Sequence, residues 1–149
     1  NEPNHHIPSL YAFAGEQGKT AWRVRQIVDT FYTSKTDGLC GNEDCGQMSA
    51  WYIFSAAGFY PVNPANGIYI LGSPAVNEAT FHLPNNKKFT IKAINNSNEN
   101  VYIQSASFNG KPYTKSWFTH AMLMNGGALL HTMGNKPSDF GKEDKDRPK

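Results

Sequence analysis

Two clusters in the first fifty residues carry the side chains best suited to chemistry. The first is Asn1-Glu2-Pro3-Asn4-His5-His6, where a carboxylate, two amides and two imidazoles crowd into about one turn of chain. The second is Asp37-Gly-Leu-Cys-Gly-Asn-Glu-Asp-Cys-Gly46, a glycine-punctuated loop with three carboxylates that runs into an apolar segment. Carboxylates at the mouth of a buried helix can act as general acids or bases, because glycines admit a ligand to the backbone and helix-terminal amides keep the acids ionised. The same loop also reads as helix capping on a solvated turn. His5-His6 is a poor zinc pair, since neighbours on a helix point about 100° apart. Oxygen-rich clusters of this kind suit calcium better than zinc. Cys40 and Cys45 fit neither a zinc site nor a Cys-x-x-Cys redox pair; a small disulfide and two free thiols both stay open.

Three segments ahead of residue 60 read as the elements that would position these clusters. Pro8 opens a short helix through Leu10, Tyr11, Phe13 and Ala14 that Gly15 stops. A second, about Thr20 to Thr33, places Ala21, Val24, Ile27, Val28 and Phe31 on one stripe with Arg23, Arg25 and Asp29 off it. A third, Met48 to Ala57, is apolar on nearly every side, which predicts burial all round. From Pro61 the period changes to short β-type runs: 67–72, 80–83, 87–94, 101–108 and 113–118, then 128–133. Asn109-Gly110 predicts a two-residue hairpin turn, and 120–125 fits either a strand or a short helix. Seven of the eight residues from Lys142 are charged, which predicts a solvated tail.

Composition limits the function classes. The 149 residues are 39% hydrophobic, 13% aromatic and only 17% charged, so a packed core is expected and wholesale disorder is not. A formal charge of +2, scattered along the chain, gives no basis for a nucleic-acid partner. No apolar run reaches the length of a membrane-spanning helix. Polarity is met by uncharged groups, with fifteen Asn beside thirteen Gly and nine Pro, a loop-rich surface common in extracellular and sugar-handling proteins. Asn95-Asn96-Ser97 matches the glycosylation sequon, a pattern frequent by chance. The opening Asn-Glu-Pro, with no initiator Met, reads as the interior of a longer polypeptide.

The motifs resemble the calcium-dependent, exo-acting α-mannosidases of glycoside hydrolase family 92. The resemblance lies in Asn1-Glu2-Pro3 with His5-His6 and in Gly41-Asn-Glu-Asp-Cys-Gly-Gln-Met-Ser-Ala-Trp-Tyr52. It continues through Gly58-Phe-Tyr-Pro-Val62, Gly72-Ser-Pro74 and Gly126-Gly-Ala-Leu129 to Met133-Gly134. It implies a secreted, periplasmic or cell-surface bacterial enzyme that removes terminal α-linked mannose from glycans with inversion. The implied architecture is α+β: residues 1–60 are the terminal helices of an (α/α)6 catalytic barrel, 61–140 an antiparallel β-sandwich-like segment, and 141–149 a charged tail. It further implies Asp44 as general base, with Asn42, Glu43 and His5 in the sugar site and Asn1 and Glu2 at a Ca2+. The family's general acid lies upstream of Asn1, so the chain by itself is expected to be inactive and its partner to be the remainder of the same polypeptide. The alternative reading is a non-catalytic β-module, either structural or binding glycans through Tyr69, Tyr102, Tyr113 or Trp117.

Overall fold

The computed structural model describes residues 2–84 and 86–149; Asn1, one of the two expected metal-site residues, lies outside them. The helical part opens with a 3-10 turn at Glu2–Asn4 and a longer one at Ile7–Ala14, which Gly15 ends in the left-handed region at φ +77°. Two α-helices follow, α1 (Gln17–Phe31) and α2 (Gln47–Ala57), joined by an irregular loop. The expected stripe of α1 is buried at Ala21, Val24 and Val28, while Phe31 stays exposed. In α2 the expectation of burial on all sides fails. Trp51 is 1% exposed, but Tyr52 and Ile53 on the opposite face are 38% and 61% exposed. A helix this apolar with one bare face lacks a neighbour there among the described residues.

Eight strands form two sheets. In chain order they are β1 (Phe59–Tyr60), β2 (Ile68–Leu71), β3 (Glu78–His82), β4 (Lys88–Ile94), β5 (Tyr102–Phe108), β6 (Lys111–Tyr113), β7 (Trp117–Thr119) and β8 (Gly127–Gly134). The small sheet has the order β1-β2-β7 and the large one β3-β4-β8-β5-β6. The pairings are antiparallel with one exception that corrects the expectation: β4 and β8 run parallel, from Phe89 opposite Gly127 to Ile94 opposite Thr132. The large sheet is therefore mixed, and its last strand in sequence lies at its centre.

Local chemistry explains the other departures. Asn109 (φ +50°) and Gly110 (φ +78°) make the expected tight turn between β5 and β6. The single run expected at 113–118 is two strands in different sheets, because the chain crosses over between Tyr113 and Trp117. That crossover is held by Asp146, whose carboxylate accepts from Thr114 Oγ1 at 2.7 Å and whose carbonyl accepts from Ser116 N at 3.0 Å. The tail is thus not simply solvated: Asp146 is 5% exposed and Arg147 donates back to the Lys142 carbonyl. The ambiguous stretch is helix α3 (His120–Asn125), started by Thr119, whose Oγ1 accepts from Met122 N at 3.1 Å.

Helices and sheets share interior. Ala57 at the end of α2 and Phe59 in β1 pack with Leu71, Phe89, Ile103, Phe118 and Leu129 in one core, while Val24, Val28 and Trp51 form a smaller one between the helices. Two polar side chains of α1 tie the parts together. Gln17 Nε2 donates to the carbonyls of Leu71 and Gly72, both at 3.3 Å. Arg25, expected outside the apolar stripe, is 5% exposed. It donates to Pro74 O, to Asn96 Oδ1 at 3.2 Å and to Ser97 O at 3.1 Å, and pairs with Asp29 at 3.2 Å.

Candidate active site

Helix α2 organises the site because both clusters anchor on its first two turns. His5 is 7% exposed, with its ring stacked on Trp51 at a centroid distance of 5.2 Å. Its carbonyl accepts from Trp51 Nε1 at 2.9 Å. Gln47 Nε2 lies 3.3 Å from His5 Nδ1 and 3.2 Å from the Tyr60 hydroxyl. An amide nitrogen can only donate, so Nδ1 accepts and the ring proton sits on Nε2. Burial lowers the His5 pKa against the opposing charge of Glu2, which agrees with a neutral ring. His6 is exposed.

The loop reaches α2 through three consecutive residues in the left-handed region: Asp44 at φ +43°, Cys45 at +58° and Gly46 at +83°. For the two non-glycine residues this conformation costs energy, and such strain concentrates where a side chain must be aimed. The result is an exposed Asp44 whose carboxylate has no hydrogen-bond or ion-pair partner among the described residues. Glu43, its neighbour, does the opposite. Its Oε1 accepts from Ser49 N at 3.0 Å and its Oε2 from Ser49 Oγ at 2.8 Å, so it caps the open end of α2. Asn42 is exposed beside them, and Cys40 and Cys45 are free, exposed thiols.

Sequence reasoning missed Tyr32. It stacks on Trp51 at 5.8 Å, contacts Tyr52 at 5.0 Å, and its hydroxyl donates to the Met48 carbonyl at 3.3 Å. Burial, then the charges of Cys40, Glu43 and Glu2, push its pKa up to about 12. The phenol therefore stays protonated, with both Glu2 and Glu43 among the charges that act on it. Tyr32, His5, Met48 and Trp51 line a pocket of about 260 Å³, mostly apolar. A tyrosine one residue past the end of an amphipathic helix carries no motif, so only its aromatic type could have flagged it.

The arrangement can present one exposed base on the loop that leads into α2, while the aromatic pocket is lined from the same loop only by Cys40. Of the residues expected at a metal, only Glu2 is described, and no group of three His, Cys, Asp or Glu among the described residues could hold a metal ion. The aromatics of the alternative reading are mostly committed to structure. Tyr69 Oη bonds His120 Nδ1 at 2.9 Å, Tyr113 Oη donates to the Trp117 carbonyl at 2.6 Å, and Lys115 covers the Trp117 ring at 4.7 Å. Tyr102 faces an open groove, and Tyr69 lines the edge of another beside His120.

An exposed carboxylate on a loop that runs into a helix carrying stacked aromatics can serve one half of a two-carboxylate hydrolysis, and comparison with known proteins supplies the family. The model of the glycosyl hydrolase family 92 catalytic domain matches residues 1–135, and the chain belongs to that family. It is 41% identical to a family GH92 alpha-mannosidase of Bacteroides thetaiotaomicron, BT3965, solved with mannoimidazole; the match has a TM-score of 0.96 and covers 100% of this chain and 20% of that one. The family GH92 inverting mannosidase BT2199 of the same organism is also 41% identical, with a TM-score of 0.93 over 99% of this chain and 20% of that one. An uncharacterized secreted glycosidase of Arthroderma benhamiae is 34% identical over 99% of this chain and 20% of its own length. The chain thus spans about one fifth of the relatives it matches. No helix among the described residues is long and apolar enough to cross a membrane.

Proposed function

We propose that this chain supplies the general-base side of an inverting, exo-acting α-mannosidase that removes terminal α-linked mannose from glycans outside the cytoplasm. The observation that supports it is Asp44, exposed and unengaged on a left-handed turn ahead of α2. An inverting glycosidase needs one carboxylate to take a proton from water as that water attacks the anomeric carbon. It needs a second carboxylic acid, roughly 6.5–9.5 Å away, to protonate the departing oxygen. Asp44 suits the first role. Glu43 is a poor choice for the second, because both its oxygens already accept from Ser49. The acid then comes from elsewhere in the polypeptide, and residues 1–149 alone do not turn over. His5, held neutral with its Nε2–H as donor, and Asn42 would contact sugar hydroxyls.

In this reading residues 1–60 belong to the helical catalytic barrel, 61–140 to the β segment that braces it and 141–149 to the charged end. Glu2, with Asn1, is this chain's share of a calcium site. A carboxylate suits that ion, but calcium takes 6–8 oxygens and Glu2 offers at most two, so the other ligands lie elsewhere in the polypeptide. Bound there, calcium would polarise the sugar hydroxyls. The test is Asp44→Asn in the full-length polypeptide, assayed on an aryl α-mannoside. A fall in kcat of about 10²–10⁴-fold with unchanged folding is expected, and a loss below about tenfold overturns the assignment.

A further inference from the structure

Helix α1 and strand β5 meet along a furrow that shares no lining residue with the aromatic pocket below the loop. It consists of two grooves, of about 420 and 340 Å³, that have Trp22 and Tyr102 in common. Each volume falls in the range of small-molecule sites. Trp22 is 42% exposed, with the Arg23 guanidinium 4.4 Å from its ring centroid. The Tyr102 hydroxyl has no hydrogen-bond partner among the described residues. Gly18 keeps the first groove open: a Cβ there would stand 3.6 Å from Tyr102 Cδ1 and 3.5 Å from Pro137, so a longer side chain would fill it.

The charges of the furrow select the ligand. Lys19 pairs with Glu16 at 3.6 Å, Lys142 with Asp139 at 3.1 Å and Arg25 with Asp29 at 3.2 Å. Both signs are present and largely neutralise one another inside the furrow, which disfavours an anion or a cation as occupant. Beyond these pairs the polar lining is one carboxylate, Glu99, and otherwise amide and hydroxyl, from Gln17, Gln26, Asn98, Asn135 and Ser138, so the furrow carries at most one net negative charge and favours no anion. Two partly exposed rings flanked by amides and paired charges match a ligand with apolar faces and many hydroxyls. We infer that the α1–β5 furrow binds a neutral oligosaccharide, with sugar rings on Trp22 and Tyr102 and hydroxyls on the amides at either end. This moves the glycan-binding surface off the β segment, since one of the two rings belongs to a helix.

The inference rests on the proposed activity only for the choice of sugar. α-1,6-Linked mannohexaose is titrated by calorimetry into full-length protein carrying Asp44→Asn, in saturating methyl α-mannoside to fill a one-sugar active site. Trp22→Ala, Tyr102→Ala and Gly18→Leu, the last leaving both rings in place, are each expected to weaken binding about tenfold or more, the equivalent of about 1.4 kcal/mol. In protein with Asp44 intact, the same substitutions leave aryl α-mannoside turnover within about twofold, a difference of only a few tenths of a kcal/mol. No heat of binding at millimolar sugar, or unchanged affinity in all three variants, overturns the furrow. Tighter binding of an anionic oligosaccharide, such as an oligogalacturonate, also overturns it. Ring-dependent binding by a protein that fails to cleave the aryl mannoside upholds the furrow and overturns the proposed activity.

Discussion

At the scale of single residues, adjacent acids have been given different work. Asp44 and Glu43 differ by one position, yet one carboxylate is unengaged and the other grips Ser49 twice. Their types and spacing announce chemistry, but cannot say which one is spent on the helix end. That choice depends on the left-handed turn at 44–46, where non-glycine residues adopt a conformation that propensity argues against. Glu43→Gln keeps the shape but removes the charge from the Ser49 contact. It is expected to lower stability by about 1 kcal/mol, read as a shift in the urea midpoint with unchanged slope, and Ser49→Ala is expected to do the same. A double variant losing no more than either single one would show that both act through the same contact.

At the scale of elements, the strands were legible where alternation was clean and hidden where a distant partner decided. Lys88–Ile94 alternates, and its Phe89, Ile91 and Ala93 are buried as the pattern demands. Nothing local told that 111–119 would divide between sheets, because the reason is Asp146, some thirty residues on. Strand β8 hides a titrating group in the same way. His131 is fully buried, neither ring nitrogen has a hydrogen-bond partner among the described residues, and burial pushes its pKa down to about 4. Because its unfolded value is about 6.5, the unfolded chain binds the extra proton between those two values. Stability from this group is therefore complete above about pH 6.5 and is lost as pH falls towards 4, by on the order of 3 kcal/mol in all. His131→Leu is expected to flatten that dependence in thermal unfolding scans from pH 7 to 4. At pH 7 it should cost little or stabilise, since two unsatisfied nitrogens go with the ring.

At the scale of the whole molecule, a few polar side chains join layers that apolar patterning describes only separately. Arg25 reads from sequence as an off-stripe cation, but it links α1 to Pro74 and to the 95–98 turn, reaching across about seventy residues. Arg25→Ala strands those carbonyls and is expected to cost about 3–5 kcal/mol. Arg25→Lys should recover only part, because a single ammonium cannot reproduce the fork that serves Pro74, Asn96 and Ser97 together. Unfolding midpoints of the two variants check both statements. The exposed faces of Tyr52, Ile53 and Phe31 depart from the pattern for a related reason: an apolar helix predicts a neighbour without saying which part of a polypeptide provides it.

The parallel pairing of β4 with β8 also sets an order of events during synthesis. As the chain leaves the ribosome, β3 can pair with β4 and β5 with β6, but the two hairpins have no common neighbour until β8 arrives between them. Until then both β4 and β5 offer a bare edge, the condition under which nascent chains pair with the wrong partner. The large sheet is closed by its last-made strand, so a ribosome stalled before residue 127 would release two adhesive hairpins rather than a smaller version of the fold.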